Sequence, residues 1–204
     1  MRKNPIIIFE GIEGSGKTTH INFVSKYLKK NKRKFIKIRE PGGSNNSEII
    51  RKLILSNKSN FNFKTDLFLY FASRSENYEK IILDNYNKKI ILIDRFTDST
   101  IAYQHYGMGL PKKIIILLNN FILNKIKPNY TFINVVNKQN LIKRLKKRTY
   151  KNRYDKFKFN FYNKVQKGFI KIAKNKKNYM IIDSNRSVVE NKNKILKKIN
   201  QLVN

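Results

Sequence analysis

Hydrophobic positions along the chain gather in two kinds of segment that alternate. Five short runs, rich in β-branched and aromatic residues, predict β-strands. They are Ile6–Glu10, Phe35–Arg39, Lys89–Asp94, Tyr130–Val136 and Tyr179–Asp183. Longer segments with helical spacing lie between and after them, near Lys17–Lys30, Ser47–Ser56, Asp66–Tyr86, Pro111–Lys125, Lys138–Lys147, Phe159–Lys176 and Val188–Leu202.

This alternation predicts an α/β fold, with a five-stranded parallel sheet covered by helices on both faces as a three-layer sandwich. The length of 204 residues suits a single domain, 1–204. The basic, polar stretch 146–158 lacks an apolar stripe and predicts a short lid between two helices. In parallel sheets ligands bind at the carboxyl ends of the strands. Three of the predicted strands run directly into polar motifs there.

Composition narrows the class of protein. The chain has no cysteine, which excludes disulfides and thiolate metal sites. The apolar run Ile6–Phe9 is too short for a signal peptide or a membrane span, so we expect a soluble cytoplasmic protein without a membrane partner.

The net charge of +32 would attract polyanions such as nucleic acid. The chain is also rich in Lys, Asn, Ile, Phe and Tyr, whose codons are AT-rich. We therefore interpret the charge as base-composition bias and expect no specific nucleic-acid partner. The chain has only eight glycines, and seven of them lie in three short segments: Gly11, Gly14 and Gly16; Gly42 and Gly43; Gly107 and Gly109. Because these glycines persist despite the bias, we interpret the three segments as functional.

The first glycine segment matches the phosphate-binding P-loop pattern. It follows a predicted strand and opens a predicted helix, which is the context that the motif requires. The predicted ATP-binding residues are Gly11, Ile12, Glu13, Gly14, Ser15, Gly16, Lys17 and Thr18. In such a loop Lys17 would bridge the β- and γ-phosphates, and the Thr18 hydroxyl would bind Mg²⁺. The motif predicts a P-loop NTPase-type fold.

Polar residues at the ends of two other strands are suited to binding phosphate and a metal ion. Asp94 is placed to hold the Mg²⁺ shell, and Arg95 is suited to a bidentate grip on phosphate. The alternative for this pair is a helix cap beside a surface arginine. Arg39, next to the Pro41-Gly42-Gly43 turn, is a further candidate for the acceptor's phosphate. The alternative interpretation is that Arg39 is one more solvated cation on the surface.

Tyr70 and Arg74 are one helical turn apart and therefore share a face. An aromatic ring and a cation on one face can stack on a base and bond its edge. The alternative for Tyr70, within the apolar run Leu67–Phe71, is a core position.

These motifs together resemble the thymidylate kinase family over residues 6 to about 186. The matching segments are Phe9–Thr19, Arg39–Gly43 and Asp94–Gln104. The resemblance implies transfer of the ATP γ-phosphoryl to dTMP, giving dTDP and ADP, with Mg²⁺ and in a homodimer. It also implies a set of dTMP-binding residues: Glu13, Arg39, Tyr70, Arg74, Arg95, Ser99, Thr100, Tyr103 and Gln104.

The resemblance gives most members of this set a role. Tyr70 matches the aromatic that stacks on thymine, and Arg74 matches the arginine at the base edge, beside further base contacts from Thr100 and Gln104. Arg39 and Arg95 match the arginines that bind the dTMP phosphate. Tyr103 matches the residue near the sugar 2′ position, and Glu13 matches the carboxylate near the sugar hydroxyl.

One form of this family carries a catalytic arginine in the P-loop, and the other carries it in the lid. Gly14 makes this chain resemble the second form, and Arg153 falls on the lid position. The implied catalytic residues are then Lys17, Arg95 and Arg153. Thr149, Asn152 and Asp155 depart from the Gly, Asp and Glu of the family's lid pattern.

The sequence is also compatible with two rival functions. The first is another nucleoside monophosphate kinase or a deoxynucleoside kinase. A deoxynucleoside kinase must deprotonate a sugar hydroxyl, and Glu40 is the candidate base. The second is a basic nucleic-acid-binding protein with a relict P-loop. Two arginines directed at the acceptor favour a substrate that already carries a phosphate.

Overall fold

The computed structural model describes residues 4–124, 126–147, 149 and 152–204. Five parallel strands form one sheet in the order β2-β3-β1-β4-β5, which confirms the predicted α/β fold. The strands are β1 (Ile6–Gly11), β2 (Phe35–Arg39), β3 (Ile90–Asp94), β4 (Tyr130–Val135) and β5 (Tyr179–Asp183). Each lies within two residues of its predicted bounds.

The helices lie between successive strands and after the last one. They are α1 (Lys17–Lys30), α2 (Asn45–Leu55), α3 (Phe63–Asn77), α4 (Leu83–Asn85), α5 (Thr97–Thr100), α6 (Lys112–Leu123), α7 (Lys138–Lys146), α8 (Phe159–Ala173) and α9 (Val188–Val203). Two π-helical segments, Tyr78–Ile82 and Ile101–Gly107, follow α3 and α5, and a short 3₁₀ helix spans Arg153–Lys156. In the part of the chain that is described, no helix has the length and apolar character needed to cross a membrane.

Alternate residues of β1 pack into different cores on the two faces of the sheet. Ile7 and Phe9 join a cluster that contains α1 and α9, whereas Ile6 and Ile8 join a cluster with β3 and the first π-helical segment. All six residues of β1 are buried. A strand covered on both faces has no polar side, which explains why β1 is a continuous apolar run until Glu10.

Two helical regions differ from the sequence prediction. The predicted helix Asp66–Tyr86 begins earlier, at Phe63, because Asn62 caps it through the N–H groups of Lys64 and Thr65. It then passes through the π-helical segment Tyr78–Ile82. The helical stretch 97–107 was not predicted, since its sequence shows motif residues and no clear apolar periodicity.

The second π-helical segment packs closely against α8 and needs glycine on both sides. A Cβ on Gly107 would lie 2.7 Å from the ring of Phe161, and one on Gly168 would lie 2.6 Å from the ring of Tyr106. The two backbones can approach only because these positions lack side chains. This contact fixes the segment that carries Tyr103 and Gln104.

Candidate functional site

The loop between β1 and α1 has the backbone conformation of a phosphate-binding loop. Gly11, Gly14 and Gly16 have φ values of 136°, 70° and 93°. A Cβ on Gly11 would lie 2.4 Å from the carbonyl oxygen of Asn134 in β4, so a side chain does not fit there. Gly16 caps α1 without a side chain, and the first N–H groups of the helix therefore remain available to an anion.

Lys17, the first residue of α1, points back into this loop. Its Nζ donates to the carbonyl oxygens of Gly11 at 2.9 Å and Ile12 at 2.8 Å, and the residue is 7% exposed. Burial, and then the nearby Arg95 guanidinium, lower the pKa of Lys17 to about 8. A bound polyphosphate would favour the charged form of this desolvated ammonium.

A cavity of about 570 Å³ joins the P-loop to the ends of the neighbouring strands. One group of lining residues surrounds the P-loop: Gly14, Lys17, Thr18, Arg144, Ser184 and Arg186. A second group surrounds the C-terminal half of α3 and the start of the second π-helical segment: Glu40, Arg51, Tyr70, Arg74, Thr100 and Gln104. A single space with two differently lined parts suits two substrates.

Arg95 connects the two parts of the cavity. Its φ of 68° is rare for a residue with a side chain and is typical of functional sites. Its guanidinium donates to Glu13 at 2.9 Å and to the carbonyl of Gly11 at 2.9 Å. The Tyr103 ring lies 5.2 Å away, and the Tyr103 hydroxyl donates to the second oxygen of Glu13. Burial alone would raise the pKa of Glu13, but Arg95 and then Lys17 outweigh it and hold that pKa below its usual value.

Thr18 and Asp94 fit the requirements of Mg²⁺. Both line the cavity, and Asp94 Oδ1 is buried without a hydrogen-bond partner among the described residues. Those residues also contain no group of three or more His, Cys, Asp or Glu that could hold a metal alone. Mg²⁺ is usually held by one or two protein oxygens together with substrate phosphates. A hydroxyl and a free carboxylate oxygen beside a P-loop match that pattern.

Glu10 fastens the P-loop strand to the segment that carries Arg95, a role that the sequence reasoning missed. Its Oε1 accepts from the N–H groups of Phe96 at 2.8 Å and Ser99 at 3.1 Å, and its Oε2 accepts from the Ser99 hydroxyl at 2.5 Å. Burial, and then the charge of Asp98, raise the pKa of Glu10 to about 7. The available signal was an acidic residue at the end of an apolar strand.

The structure brings Tyr70, Arg74, Thr100 and Gln104 together as predicted acceptor-site residues. Arg74 is 2% exposed, and its Nε donates to Glu40 at 2.8 Å while its Nη2 donates to Thr100 at 3.0 Å. Tyr70 packs edge-on against Tyr154, with ring centroids 6.4 Å apart. Burial raises the pKa of Tyr70 to about 12, so its phenol is neutral. Glu13, Ser99 and Tyr103 also line the cavity.

Arg39 lies outside this lining. Its side chain is 56% exposed and forms a salt bridge of 3.1 Å with Glu48. Arg51 of α2 lines the cavity instead, and it donates to the carbonyl of Pro41 at 2.6 Å. The sequence reasoning missed Arg51, although its position four residues before Leu55 places it on the inner face of α2. The phosphate-binding role of Arg39 stays a prediction.

The lid position Arg153 is held by α2 and α3. Its guanidinium donates to the Asp66 carboxylate and to the carbonyl of Ile54, and it is absent from the described cavity lining. Asn152 and Asp155, two departures from the family's lid pattern, cap the 3₁₀ helix reciprocally. Arg144 of α7 does line the cavity and donates to the carbonyls of Gly14 at 3.0 Å and Ser184 at 2.7 Å. Arg148, another cation of the predicted lid 146–158, lies outside the described residues.

The parallel sheet, the P-loop at the end of its central strand and the cavity beside it define a P-loop phosphotransferase that binds nucleotides. The family model for thymidylate kinase matches residues 9–195. The chain therefore belongs to the thymidylate kinase family, whose members are ATP-dependent phosphotransferases that act on dTMP.

Individual relatives agree with this assignment. A thymidylate kinase from Sulfurihydrogenibium sp. is 38% identical over 187 residues, which cover 90% of this chain and 91% of that protein. One from Thermosipho melanesiensis is 39% identical over 183 residues, covering 89% and 90%. Among solved structures, thymidylate kinase from Ehrlichia chaffeensis superposes with a TM-score of 0.75 at 32% identity, covering 96% of this chain and 98% of that one.

Replacing Glu10 by Gln should remove a pH-dependent part of the stability. Its pKa rises from 4.5 in the unfolded chain to about 7 in the folded one, so within that window only the folded protein keeps the proton. The stabilising contribution of protonated Glu10 is complete below pH 4.5 and is lost as the pH rises through about 7. The free energy of unfolding of the wild type should therefore fall relative to Glu10→Gln, by up to about 3 kcal/mol. Urea unfolding at a series of pH values measures this; a constant difference between the two proteins would contradict the raised pKa.

Proposed function

We propose that MgATP binds at the Lys17 part of the cavity and dTMP at the Tyr70 part, and that the γ-phosphoryl passes between them beside Arg95. The observation that carries this proposal is the single cavity lined by both groups, with the Arg95–Glu13 pair between them. In-line transfer needs donor and acceptor held in one space from which water can be excluded. Glu13, Ser99, Thr100, Tyr103 and Gln104 would surround the acceptor.

The acceptor needs no general base. A phosphate monoester has a second pKa near ~6, so its oxygen is already a nucleophile at neutral pH. Glu40, the candidate base for a deoxynucleoside kinase, is 5% exposed and forms a 2.8 Å salt bridge with Arg74. A carboxylate engaged in this way is poorly placed to take a proton from a sugar hydroxyl. This pairing favours a nucleotide over a nucleoside as the acceptor.

Lys17 and Arg95 are positioned to stabilise charge on the transferring group. Lys17 is buried and Arg95 is half-buried beside the P-loop, where a fixed cation acts more strongly than in water. Thr18 and Asp94 would hold Mg²⁺, and the ion would supply positive charge against the phosphates.

We further propose that Arg153 supplies the lid's catalytic cation, as the family resemblance implies. To reach the phosphates it must leave Asp66 and Ile54, to which it is bound here. Closure of the lid 146–158 on both substrates would provide that exchange and would limit hydrolysis of ATP by water.

A homodimer is part of the proposal. Three adjacent helices expose large apolar side chains: Ile49 and Leu53 of α2, Phe68 of α3, and Leu117 and Phe121 of α6. Phe121 is 83% exposed. Exposed apolar surface of this extent typically marks an interface, and a face shared by identical chains suits a two-fold dimer. We also propose a cytoplasmic location, where nucleoside triphosphates are supplied.

Purified protein should release ADP from MgATP only when dTMP is present. A coupled assay with dTMP, dUMP, dCMP, AMP and thymidine as acceptors measures this, and Lys17→Ala is the control against contaminating kinases. Loss of one preorganised charge contact should lower kcat by about 100-fold or more. Faster turnover with thymidine than with dTMP would instead establish a deoxynucleoside kinase, and activity of Lys17→Ala close to wild type would remove the role of Lys17.

Arg153→Ala should lower kcat and kcat/KM for both substrates equally, by about 100-fold, because the arginine would engage only in the transition state. Arg144→Ala and Arg148→Ala should cost less in kcat. Steady-state kinetics of the three variants decides between them. A stronger effect of Arg148→Ala would move the catalytic role to that residue and leave Arg153 as an anchor of the lid.

Phe121→Asp should convert a dimer into a monomer, since a charge in a buried apolar interface has no partner. Sedimentation velocity at micromolar protein measures the change. Val189→Asp on α9, which is 66% exposed in the monomer, is the matched control and should remain dimeric. A wild-type protein that sediments as a monomer would refute the dimer.

A further inference from the structure

The guanidinium of Arg74 is bonded at all three of its nitrogens. Besides Glu40 at Nε and Thr100 at Nη2, its Nη1 donates to Asn119 Oδ1 at 2.8 Å. The three partners come from the segment after β2, from α5 and from α6. A planar group held at three corners by three separate elements has little freedom to tilt or rotate.

This arrangement leaves part of the guanidinium for a ligand. Arginine has five N–H donors and no acceptor. Three donors are used by the protein partners, and Arg74 still lines the cavity. A group that only donates favours a pyrimidine with a carbonyl oxygen at C4, as in thymine, and disfavours one with an amino group there, as in cytosine.

Asn119 is the partner that α6 supplies to Arg74. It is 7% exposed and lies behind Arg74, outside the described cavity lining. Its amide is neutral, so Glu40 remains the one carboxylate bonded to the guanidinium among the described residues. A neutral acceptor can therefore set the angle of the guanidinium without adding a second negative charge to the site.

We propose that Asn119 is a positioning residue that fixes Arg74 for recognition of the pyrimidine and so determines the preference for dTMP over dCMP. This inference rests on the proposed function, in which Arg74 reads the base of the acceptor. It assigns to α6, which contributes no residue to the described cavity lining, a role in acceptor specificity.

Two variants and one matched control test this role. Asn119→Leu keeps a side chain branched at Cγ without the acceptor oxygen, and Asn119→Ala removes the side chain beyond Cβ. Asn120→Ala changes the exposed neighbour on the same helix. Binding of dTMP and of ATP is measured separately by calorimetry, and kcat/KM is measured for dTMP and dCMP, with melting temperatures to identify folded variants.

In either folded Asn119 variant the Kd for dTMP should rise by about 10- to 100-fold, as small displacements of positioning groups do. The Kd for ATP should stay within twofold, and the dTMP/dCMP preference should fall. Asn119→Gln, which keeps a neutral oxygen acceptor, should bind dTMP more tightly than Asn119→Leu and Asn119→Ala do. Asn120→Ala should behave like the wild type.

Wild-type dTMP affinity and preference in a folded Asn119→Leu or Asn119→Ala protein would overturn the inference. An equal loss of dTMP and ATP affinity would also overturn it, because a general structural defect does not distinguish the two ligands. A wild-type protein without dTMP-dependent ADP release would instead refute the proposed function, so the two failures are distinguishable.

Discussion

The buried carboxylate of Glu10 is the interaction on which the geometry of the site depends. It is the last residue but one of the central strand β1, immediately before Gly11 of the P-loop, and it accepts three hydrogen bonds from Phe96 and Ser99. Arg95 lies directly before these residues with a left-handed backbone that few side chains adopt freely. The hydrogen bonds that Glu10 receives offset only part of the cost of burying a carboxylate, because its pKa is still raised to about 7. The P-loop and the arginine beside it are therefore held in one rigid unit.

Charge pairing explains why the site is little affected by the excess of positive charge. Six of the 13 acidic residues are buried or half-buried around the cavity: Glu10, Glu13, Glu40, Asp66, Asp94 and Asp98. The surface therefore keeps most of the lysines that no acidic residue compensates. Three of these acidic residues form salt bridges with arginines: Glu13 with Arg95, Glu40 with Arg74, and Asp66 with Arg153. Composition can drift on a solvated surface at little cost, whereas a buried cation requires its partner. The net charge of +32 therefore describes the surface more than the chemistry.

The sequence allowed prediction of those features that depend on neighbouring residues. All five strands and the P-loop follow from local periodicity and glycine spacing, and the structure places them as predicted. Asn119 was missed because its role arises from a contact with Arg74, 45 residues away along the chain. Arg51 was missed because its place in the cavity lining depends on how α2 packs beside the strand ends. The π-helical segment Ile101–Gly107 was missed for a similar reason. It is fixed by packing against α8, and its own sequence has no marker for the wider turn.

In the proposed mechanism Arg153 takes two positions, and the structure shows one of them. Here it binds one carboxylate, Asp66, whose pKa is raised chiefly by burial, and one carbonyl oxygen. A guanidinium that reaches the transferring phosphoryl must give up both contacts, because the same donors cannot serve two anions. The transferring phosphoryl lies between donor and acceptor only in the transition state, and a fixed cation stabilises the charge on it there. In the proposed mechanism, the exchange is therefore favourable only when both nucleotides have reached the transition state. The Asp66 contact holds the cation away from the P-loop until then, and this coupling would protect ATP from hydrolysis without an acceptor.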